Sequence, residues 1–307
     1  MGKEAMTWTA PDFDRILAEM TPYVGDHDLA WNWMRWAEKK GGKWPKHVNS
    51  LLKRTWKTGK PYGIVETAVG LRFFVDRRDR YARTNAIDPD YEVSTAAPII
   101  QSLRERPGAY VDVGANMGIL AAMVAREFPN LPVVAVEPVE ETARRAACTF
   151  ALNGLQNVTL HVAAVGDHDG EVSFFAEPGS SDAASLSRET LGEAAREIKV
   201  PLRTIDTLCA DLSQPVGFLK IDVEGHEPAA IQGALRTIER DHPAVFFEFH
   251  WDIAPALGWT AEQVAAAIES TGRPYRFFVA HHDDPVRPFP PTRDMGLALN
   301  IWAQPIA

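Results

Sequence analysis

The sequence predicts an α/β fold built on a mostly parallel, doubly wound sheet, and three observations support that prediction. Apolar runs of strand length alternate with helical segments from Gly108 onward. These runs are apolar throughout, as is typical of strands covered on both faces. A turn containing two glycines follows the first of them. The 307 residues suffice for one such domain and an extension.

The composition excludes several classes of protein. Apolar residues make up 46% and charged residues 24% of the chain, as in a soluble globular protein. The formal net charge of −9 disfavours a nucleic-acid partner, because phosphate binding requires a basic surface. Without a run of about 18 apolar residues, no membrane partner is expected. Cys148 and Cys209 lack metal-binding spacing. We therefore expect reduced thiols and a cytoplasmic protein.

The first element is a tryptophan-rich segment of mainly helical pattern. Residues 1–58 hold six of the nine tryptophans, which predicts an N-terminal helical extension. Because exposed tryptophans favour interfaces, the extension is a candidate contact for a homo-oligomer. The six tryptophans are Trp8, Trp31, Trp33, Trp36, Trp44 and Trp56.

The second domain is predicted to span residues 59–307, with its core at 108–307. It begins with a hairpin at Gly63–Asp76, which turns at Gly70, and a helix at Val93–Arg104. The polar stretch Pro178–Glu197 is predicted as a loop with one short helix. Strands are predicted at Ala109–Ala115, Pro132–Glu137, Val158–Val165, Gly217–Val223, Ala244–Phe249, Tyr275–Val279 and Ala298–Trp302, and helices at Ile119–Phe128, Val139–Leu152, Pro228–Arg240 and Thr260–Thr271.

The glycine turn reads Asp-Val-Gly-Ala-Asn-Met-Gly from Asp112 to Gly118. In an open α/β sheet the ligand crevice lies at the carboxyl ends of the strands, where glycines let the backbone approach a ligand. A dinucleotide fingerprint would need glycine at Asn116 and at Ile119, which weakens the alternative of a nicotinamide-dependent oxidoreductase. The negative charge of Asp112 suits a cationic cofactor, S-adenosylmethionine, better than an anionic pyrophosphate.

The second strand closes with Glu137, 19 residues after Gly118. A carboxylate at this position can accept hydrogen bonds from both ribose hydroxyls of the cofactor. We expect both Asp112 and Glu137 at solvent-facing strand ends. Together with the glycine turn they predict an S-adenosylmethionine site, which holds S-adenosylhomocysteine after the reaction.

At this point the sequence resembles a known family, the FkbM-type methyltransferases. The block from Lys220 to Glu227 is the most specific part of the resemblance, which extends from about Tyr62 to His250. The matching pieces are Asp90-Tyr91-Glu92, Val111 to Gly118, Val136-Glu137-Pro138, Ala164 to Asp167, Val200 to Asp206, Leu219 to Glu227, and Phe246-Phe247-Glu248.

The resemblance implies a class I methyltransferase fold with a seven-stranded sheet, S-adenosylmethionine as methyl donor and, usually, oxygen as acceptor. It adds Glu92, Ala164 and Asp222 to the residues expected at the cofactor. The complete predicted set is Glu92, Asp112, Gly114, Asn116, Gly118, Glu137, Ala164 and Asp222.

Three residues at the ends of the fourth and fifth strands are candidates for catalysis. His250 is the first choice for a base, because histidine titrates near neutrality, and Asp222 is the second. Glu224 is the third candidate. Each has an alternative role: Asp222 can hold only the cofactor amine, Glu224 can cap a helix, and His250 can be a structural residue at a strand end. The cluster His281–Asp284 is interpreted as a solvated loop, so no metal site is predicted.

The sequence thus predicts an S-adenosylmethionine-dependent methyltransferase that methylates a hydroxyl or carboxyl oxygen of a small molecule. Two alternatives remain at this point. One is the nicotinamide-dependent oxidoreductase, which would use the same crevice. The other is a non-catalytic binding module that keeps the cofactor fold and acts through its extension.

Overall fold

The computed structural model describes residues 5–24, 60–67, 69–79, 92–176, 184–185, 195–280 and 286–306. Several residues that carry sequence predictions lie outside these ranges: Trp31, Trp33, Trp36, Trp44, Trp56, Asp90, Tyr91 and His281–Asp284. Within the described ranges, no helix combines the length and the apolar character that crossing a membrane requires.

A nine-stranded central sheet forms the frame of the molecule. Its strands are β1 Met6–Trp8, β4 Ala109–Val113, β5 Val133–Val136, β6 Val158–Val162, β11 Val216–Ile221, β12 Ala244–His250, β13 Tyr275–Ala280, β14 Arg287–Pro288 and β15 Ala298–Pro305. Across the sheet they lie in the order β1-β6-β5-β4-β11-β12-β15-β13-β14. The five strands from β6 to β12 are parallel, whereas β15 is antiparallel to both of its neighbours.

This topology confirms the predicted α/β class and its seven strands. The seven run from β6 to β13, and one short antiparallel strand is added at each edge, β1 beside β6 and β14 beside β13. Short edge strands carry little sequence signal, which explains why both were missed.

Helices cover both faces of the sheet. They are α1 Ala10–Met20, α2 Val93–Glu105, α3 Ile119–Glu127, α4 Glu140–Leu152, α5 Ile205–Leu208, α6 Glu227–Gln232, α7 Leu235–Asp241 and α8 Ala261–Glu269. Consecutive strand residues alternate between the two faces: Tyr110 packs with α1 to α4, and Val111 packs with α5 to α8. The two cysteines are both free and buried, Cys148 in the first core and Cys209 in the second.

The segment predicted as a single helix at Pro228–Arg240 is two helices, α6 and α7. They are separated at Gly233, where a Cβ atom would lie 2.0 Å from the carbonyl oxygen of Gly166. The carbonyl of Gly233 itself accepts the backbone N–H of Asp206 at 2.8 Å. Close backbone approach at one glycine therefore interrupts the predicted helix.

Two smaller sheets flank the central one. The predicted hairpin is confirmed as β2 Tyr62–Glu66 paired with β3 Arg72–Asp76. The other sheet has the order β7-β10-β8-β9, with β7 Ala164–Val165, β8 Gly170–Ala176, β9 Ala184–Ser185 and β10 Arg196–Arg203. The strand predicted over Val158–Val165 is therefore divided between two sheets. The stretch predicted as a loop contains β9 and the start of β10.

The described part of the predicted N-terminal extension packs into the core. β1 pairs antiparallel with β6, and α1 packs on α4, where the rings of Phe13 and Phe150 lie 5.3 Å apart. Phe13 and Ile16 are fully buried. Residues 5–24 therefore extend the sheet and its first core. The domain boundary at residue 58 stays a prediction.

Candidate functional site

Three adjacent parallel strands end in one row at the carboxyl edge of the sheet, and the fourth, β12, continues beyond that row to His250. Val113 pairs with Val136 on one side and with Ile221 on the other, and Ile221 pairs with Phe247. The residues that follow these positions therefore meet at the edge where α/β sheets bind ligands. Across the sheet they are Glu137, Gly114, Asp222 and Glu248.

The glycine turn owes its glycines to protein packing. Gly114, Asn116 and Gly118 all have left-handed backbone conformations, with φ of 77°, 50° and 75°. A Cβ atom at Gly114 would lie 1.8 Å from the carbonyl oxygen of Asp222, and one at Gly118 would lie 2.6 Å from the ring of Phe150. At these two positions glycine lets protein atoms approach, where the sequence had suggested approach to a ligand.

Glu137 is buried, with 6% of its surface exposed, and both of its oxygens are oriented by backbone groups. Oε2 accepts the N–H of Asn116 at 3.1 Å, and Oε1 accepts the N–H of Val139 at 3.0 Å. Burial raises the pKa of Glu137 to about 7, although both hydrogen bonds lower it. Each carboxylate oxygen has a second lone pair, so Glu137 can still accept two hydroxyls.

Asp112 lies inside β4, opposite Lys220, and only 1% of it is exposed. The expected solvent-facing position of Asp112 is therefore wrong, as is that of Glu137. The Nζ atom of Lys220 lies 3.3 Å from Oδ1 of Asp112 and 3.3 Å from Oδ2 of Asp222, and it donates to the carbonyl of Gly114 at 3.0 Å. Because Lys220 balances its charge, Asp112 is not a free anion for a cationic ligand.

Three carboxylates converge beside Lys220. Asp222, Glu224 and Glu248 each offer an oxygen, and these oxygens lie within 4.8 Å of one another. Burial, followed by the charges of Asp222 and Glu224, raises the pKa of Glu248 well above its ordinary value. Glu248 was not among the site residues predicted from the sequence, although its position two residues before His250 places both side chains on one face of β12. We call Asp222, Glu224 and Glu248 the acidic cluster.

The loop that carries two of these carboxylates is held by a fourth. Glu227, which is 1% exposed, accepts the N–H groups of Val223 at 3.1 Å and of Gly225 at 3.3 Å through Oε1. Burial raises its pKa to about 7. Glu227 thus orders the loop that precedes α6. Glu224 adopts a left-handed conformation with φ of 53°, and its capping role stays a prediction.

His250 ends β12 and is partly buried. Its Nδ1 atom accepts the backbone N–H of Asp252 at 3.2 Å. Since a backbone N–H can only donate, the neutral ring carries its proton on Nε2. In this arrangement the free ring nitrogen is a donor, so His250 must break the bond to Asp252 before it can accept a proton.

Two further predicted residues lie around this edge. Glu92 precedes α2 with φ of 62°. The pKa of Tyr110 is raised by burial and then by the charges of Asp112 and Glu92. Burial lowers the pKa of Lys220, but the charges of Asp222, Asp112 and Glu92 raise it overall. Ala164 begins β7, two residues after the end of β6, and is 3% exposed. Their roles as cofactor ligands stay predictions.

The site lies within a region that matches a known family. The sequence model of the Methyltransferase FkbM domain matches residues 112–281, more than half of the chain. The chain belongs to the FkbM methyltransferase family. The match begins at Asp112 and includes the acidic cluster and His250. The resemblance seen in the sequence is confirmed.

Comparison with individual proteins gives more distant matches to this FkbM-family chain. "Methyltransferase 1" of Beauveria bassiana is 23% identical over 141 residues, which are 40% of this chain and 57% of that protein. A crystal structure of an FkbM methyltransferase from Methylobacillus flagellatus has 20% identity and a TM-score of 0.41, covering 64% of this chain and 43% of that one. The chain spans less than two thirds of either relative.

A broader structural match is the S-adenosylmethionine-dependent O-methyltransferase of Thermotoga maritima. It covers 85% of this FkbM-family chain and 82% of its own, with 14% identity and a TM-score of 0.37.

Proposed function

We propose that this FkbM-family chain is an S-adenosylmethionine-dependent methyltransferase whose donor lies at the carboxyl edge of the sheet. One observation carries the proposal: a row of carboxylates formed by Glu137 and the acidic cluster lies at that edge. Membership in the family and the name of the Beauveria bassiana relative support it.

The charge of the edge favours this donor over a dinucleotide. S-adenosylmethionine carries a sulfonium and an ammonium, both positive, whereas the pyrophosphate of a nicotinamide cofactor is negative. Carboxylates in a partly buried site attract the former and repel the latter, and the low local dielectric strengthens both effects. The nicotinamide alternative would therefore place an anion beside the acidic cluster.

The residues present fit the donor. Glu137 would accept the two ribose hydroxyls with the lone pairs that Asn116 and Val139 leave unused. Asp222, partly exposed and fixed by Lys220, would face the ammonium or the sulfonium. The bound donor supplies an activated methyl group, so that the protein contributes mainly placement, for which orientation can be worth roughly 7 to 11 kcal/mol.

We further propose that the acceptor is a hydroxyl or carboxyl oxygen of a small molecule. An unactivated hydroxyl needs a group that takes its proton, and the carboxylates of the acidic cluster are candidates for that role. A net charge of −9 supports the absence of a nucleic-acid partner. The cytoplasmic location and a homo-oligomer formed through residues 1–58 stay predictions.

A transfer assay tests the proposal. The purified chain is incubated with methyl-labelled S-adenosylmethionine and a panel of hydroxylated and carboxylated metabolites, and labelled products are separated. We expect transfer to an oxygen of at least one acceptor class. Binding of S-adenosylhomocysteine without transfer to any acceptor would instead support the non-catalytic module. In a parallel incubation of the same metabolites with NAD, reduction of NAD would support the oxidoreductase.

A further inference from the structure

Lys220 is the buried cation of the site, and its contacts exceed what charge balance requires. Its side chain is 5% exposed and lies 3.3 Å from Asp112 and from Asp222. It also donates to the carbonyl of Gly114 at 3.0 Å. Asp112, 1% exposed, is the buried carboxylate that needs a counter-ion, because a carboxylate away from water is costly. The contacts with Asp222 and Gly114 serve no such need.

These two further contacts join the ends of β4 and β11. The backbone N–H of Asp222 donates to Val113 at 3.1 Å, and the space beside Gly114 is filled by the carbonyl oxygen of Asp222. The ammonium therefore lies where two strand ends already touch, and it binds Asp222 from one end and the carbonyls of Val113 and Gly114 from the other. A side chain held from both strands cannot change position without moving the turn.

We propose that Lys220 is a positioning residue, which fixes the carboxylate of Asp222 relative to the glycine turn and thereby sets where the methyl donor is held. This inference rests on the proposed function. In the absence of the ammonium, the partly exposed Asp222 is free to rotate toward solvent, and Gly114 loses the donor to its carbonyl. Donor binding should weaken even where the fold is intact.

A charge-balanced double variant separates positioning from a purely structural role. Lys220→Met alone leaves Asp112 buried without a partner and is expected to unfold readily. Asp112→Asn/Lys220→Met removes both charges, so its melting temperature should return close to that of Asp112→Asn. The measurements are the melting temperature, the affinity for S-adenosylhomocysteine by calorimetry, and KM and kcat.

Positioning predicts that the double variant binds S-adenosylhomocysteine about tenfold or more weakly than Asp112→Asn alone, the loss expected for one charge-assisted hydrogen bond. Adding Asp222→Asn to the double variant should cause little further loss, because Asp222 is already released. If the double variant instead binds as tightly as Asp112→Asn and keeps its KM, Lys220 only balances Asp112. Wild-type protein that fails to bind S-adenosylhomocysteine would contradict the proposed function itself.

Discussion

Asp222, Glu224 and Glu248 place three carboxylate oxygens within 4.8 Å of one another. Burial and, after it, the negative neighbours raise the pKa of Glu248. In its ionised form a carboxylate with a raised pKa is a stronger base than an ordinary one. His250, by contrast, has its Nδ1 lone pair occupied by Asp252. The acidic cluster is therefore the better candidate for the proton acceptor.

Substitutions of Glu248, His250 and Asp222 distinguish these candidates by their effects on kcat and on donor affinity. Glu248→Gln should lower kcat by about 10²-fold or more while the affinity for S-adenosylhomocysteine is retained, because a general base contributes 10² to 10⁴-fold. His250→Ala should lower kcat less. Asp222→Asn should weaken donor binding as well. Single-turnover methyl transfer and calorimetry measure these effects, and Glu269→Gln, on the exposed side of α8, is the control.

The opposite ranking would change the assignment. A loss of 10²-fold or more in His250→Ala, with full activity in Glu248→Gln, would make the histidine the base and would require the bond to Asp252 to open during turnover. Full kcat in all three variants would mean that the acceptor reacts already ionised, as a carboxylate does.

At the scale of the elements, the contact between β4 and β11 depends on Gly114. We predict that Gly114→Ala both destabilises the protein and abolishes donor binding, because its Cβ would lie 1.8 Å from the carbonyl oxygen of Asp222. Gly154→Ala is a matched control: Gly154 also has a positive φ, of 63°, but no atom lies within 4 Å of its Cβ position. The control should cost only the backbone strain, about 1 to 2 kcal/mol.

Urea unfolding and calorimetry with S-adenosylhomocysteine measure both variants. Gly114→Ala should lose clearly more unfolding free energy than Gly154→Ala and should bind no ligand. Equal losses, with binding preserved in both, would show that the strand ends can separate without harm to the site.

We also predict that the N-terminal segment, residues 5–24, contributes to the stability of the core. Phe13 is fully buried against Phe150 of α4, so Phe13→Ala should lower the unfolding free energy by about 3 to 5 kcal/mol. Met6→Ala, at a side chain that is 42% exposed, should change it by about 0.5 kcal/mol or less. Urea unfolding of the full-length variants measures the free energy of unfolding of each. A small loss for Phe13→Ala would show that residues 5–24 are an independent extension.

The elements differ in how well the sequence predicts them. The parallel strands were found because they are buried on both faces and read as apolar runs, as in β5, which is Val-Val-Ala-Val. β8 and β10 were missed because most of their residues are partly or fully exposed. The strand β9 has two residues, too few to show the alternation of apolar and polar side chains that predicts a strand. Glu137 and Asp222 were predicted as site residues from their positions at strand ends. The pairing of Asp112 with Lys220 was not predicted, because it depends on the register between β4 and β11.

For the whole molecule, buried carboxyls make stability depend on pH in an unusual direction. Burial raises the pKa of Glu227 from 4.5 to about 7 in the folded protein. Between these values the folded state binds more protons than the unfolded state, so this group lowers the unfolding free energy as pH rises through the window. Below pH 4.5 the carboxyl is protonated in both states and contributes no such loss.

We therefore predict that Glu227→Gln becomes progressively more stable relative to wild type as pH rises from 4.5 to 8, by about 3 kcal/mol in total. Urea unfolding at pH 4.5, 6 and 8 gives the difference at each pH, and Glu269→Gln, an exposed substitution, should show none of it. A difference that is constant with pH, or that reverses sign, would show that Glu227 ionises in the folded protein as it does in the unfolded one.

Calorimetric titration with S-adenosylhomocysteine identifies the ligand that the carboxyl edge of the sheet binds. The titration is run at pH 8, above the pKa of about 7 of Glu137, so that this carboxylate is ionised. We predict 1:1 binding by the wild type, about tenfold or more weaker binding by Glu137→Gln, and no heat with NAD. Binding of NAD with no binding of S-adenosylhomocysteine would contradict the proposed S-adenosylmethionine site. Equal affinity of the wild type and Glu137→Gln for S-adenosylhomocysteine would contradict the role of Glu137 in it.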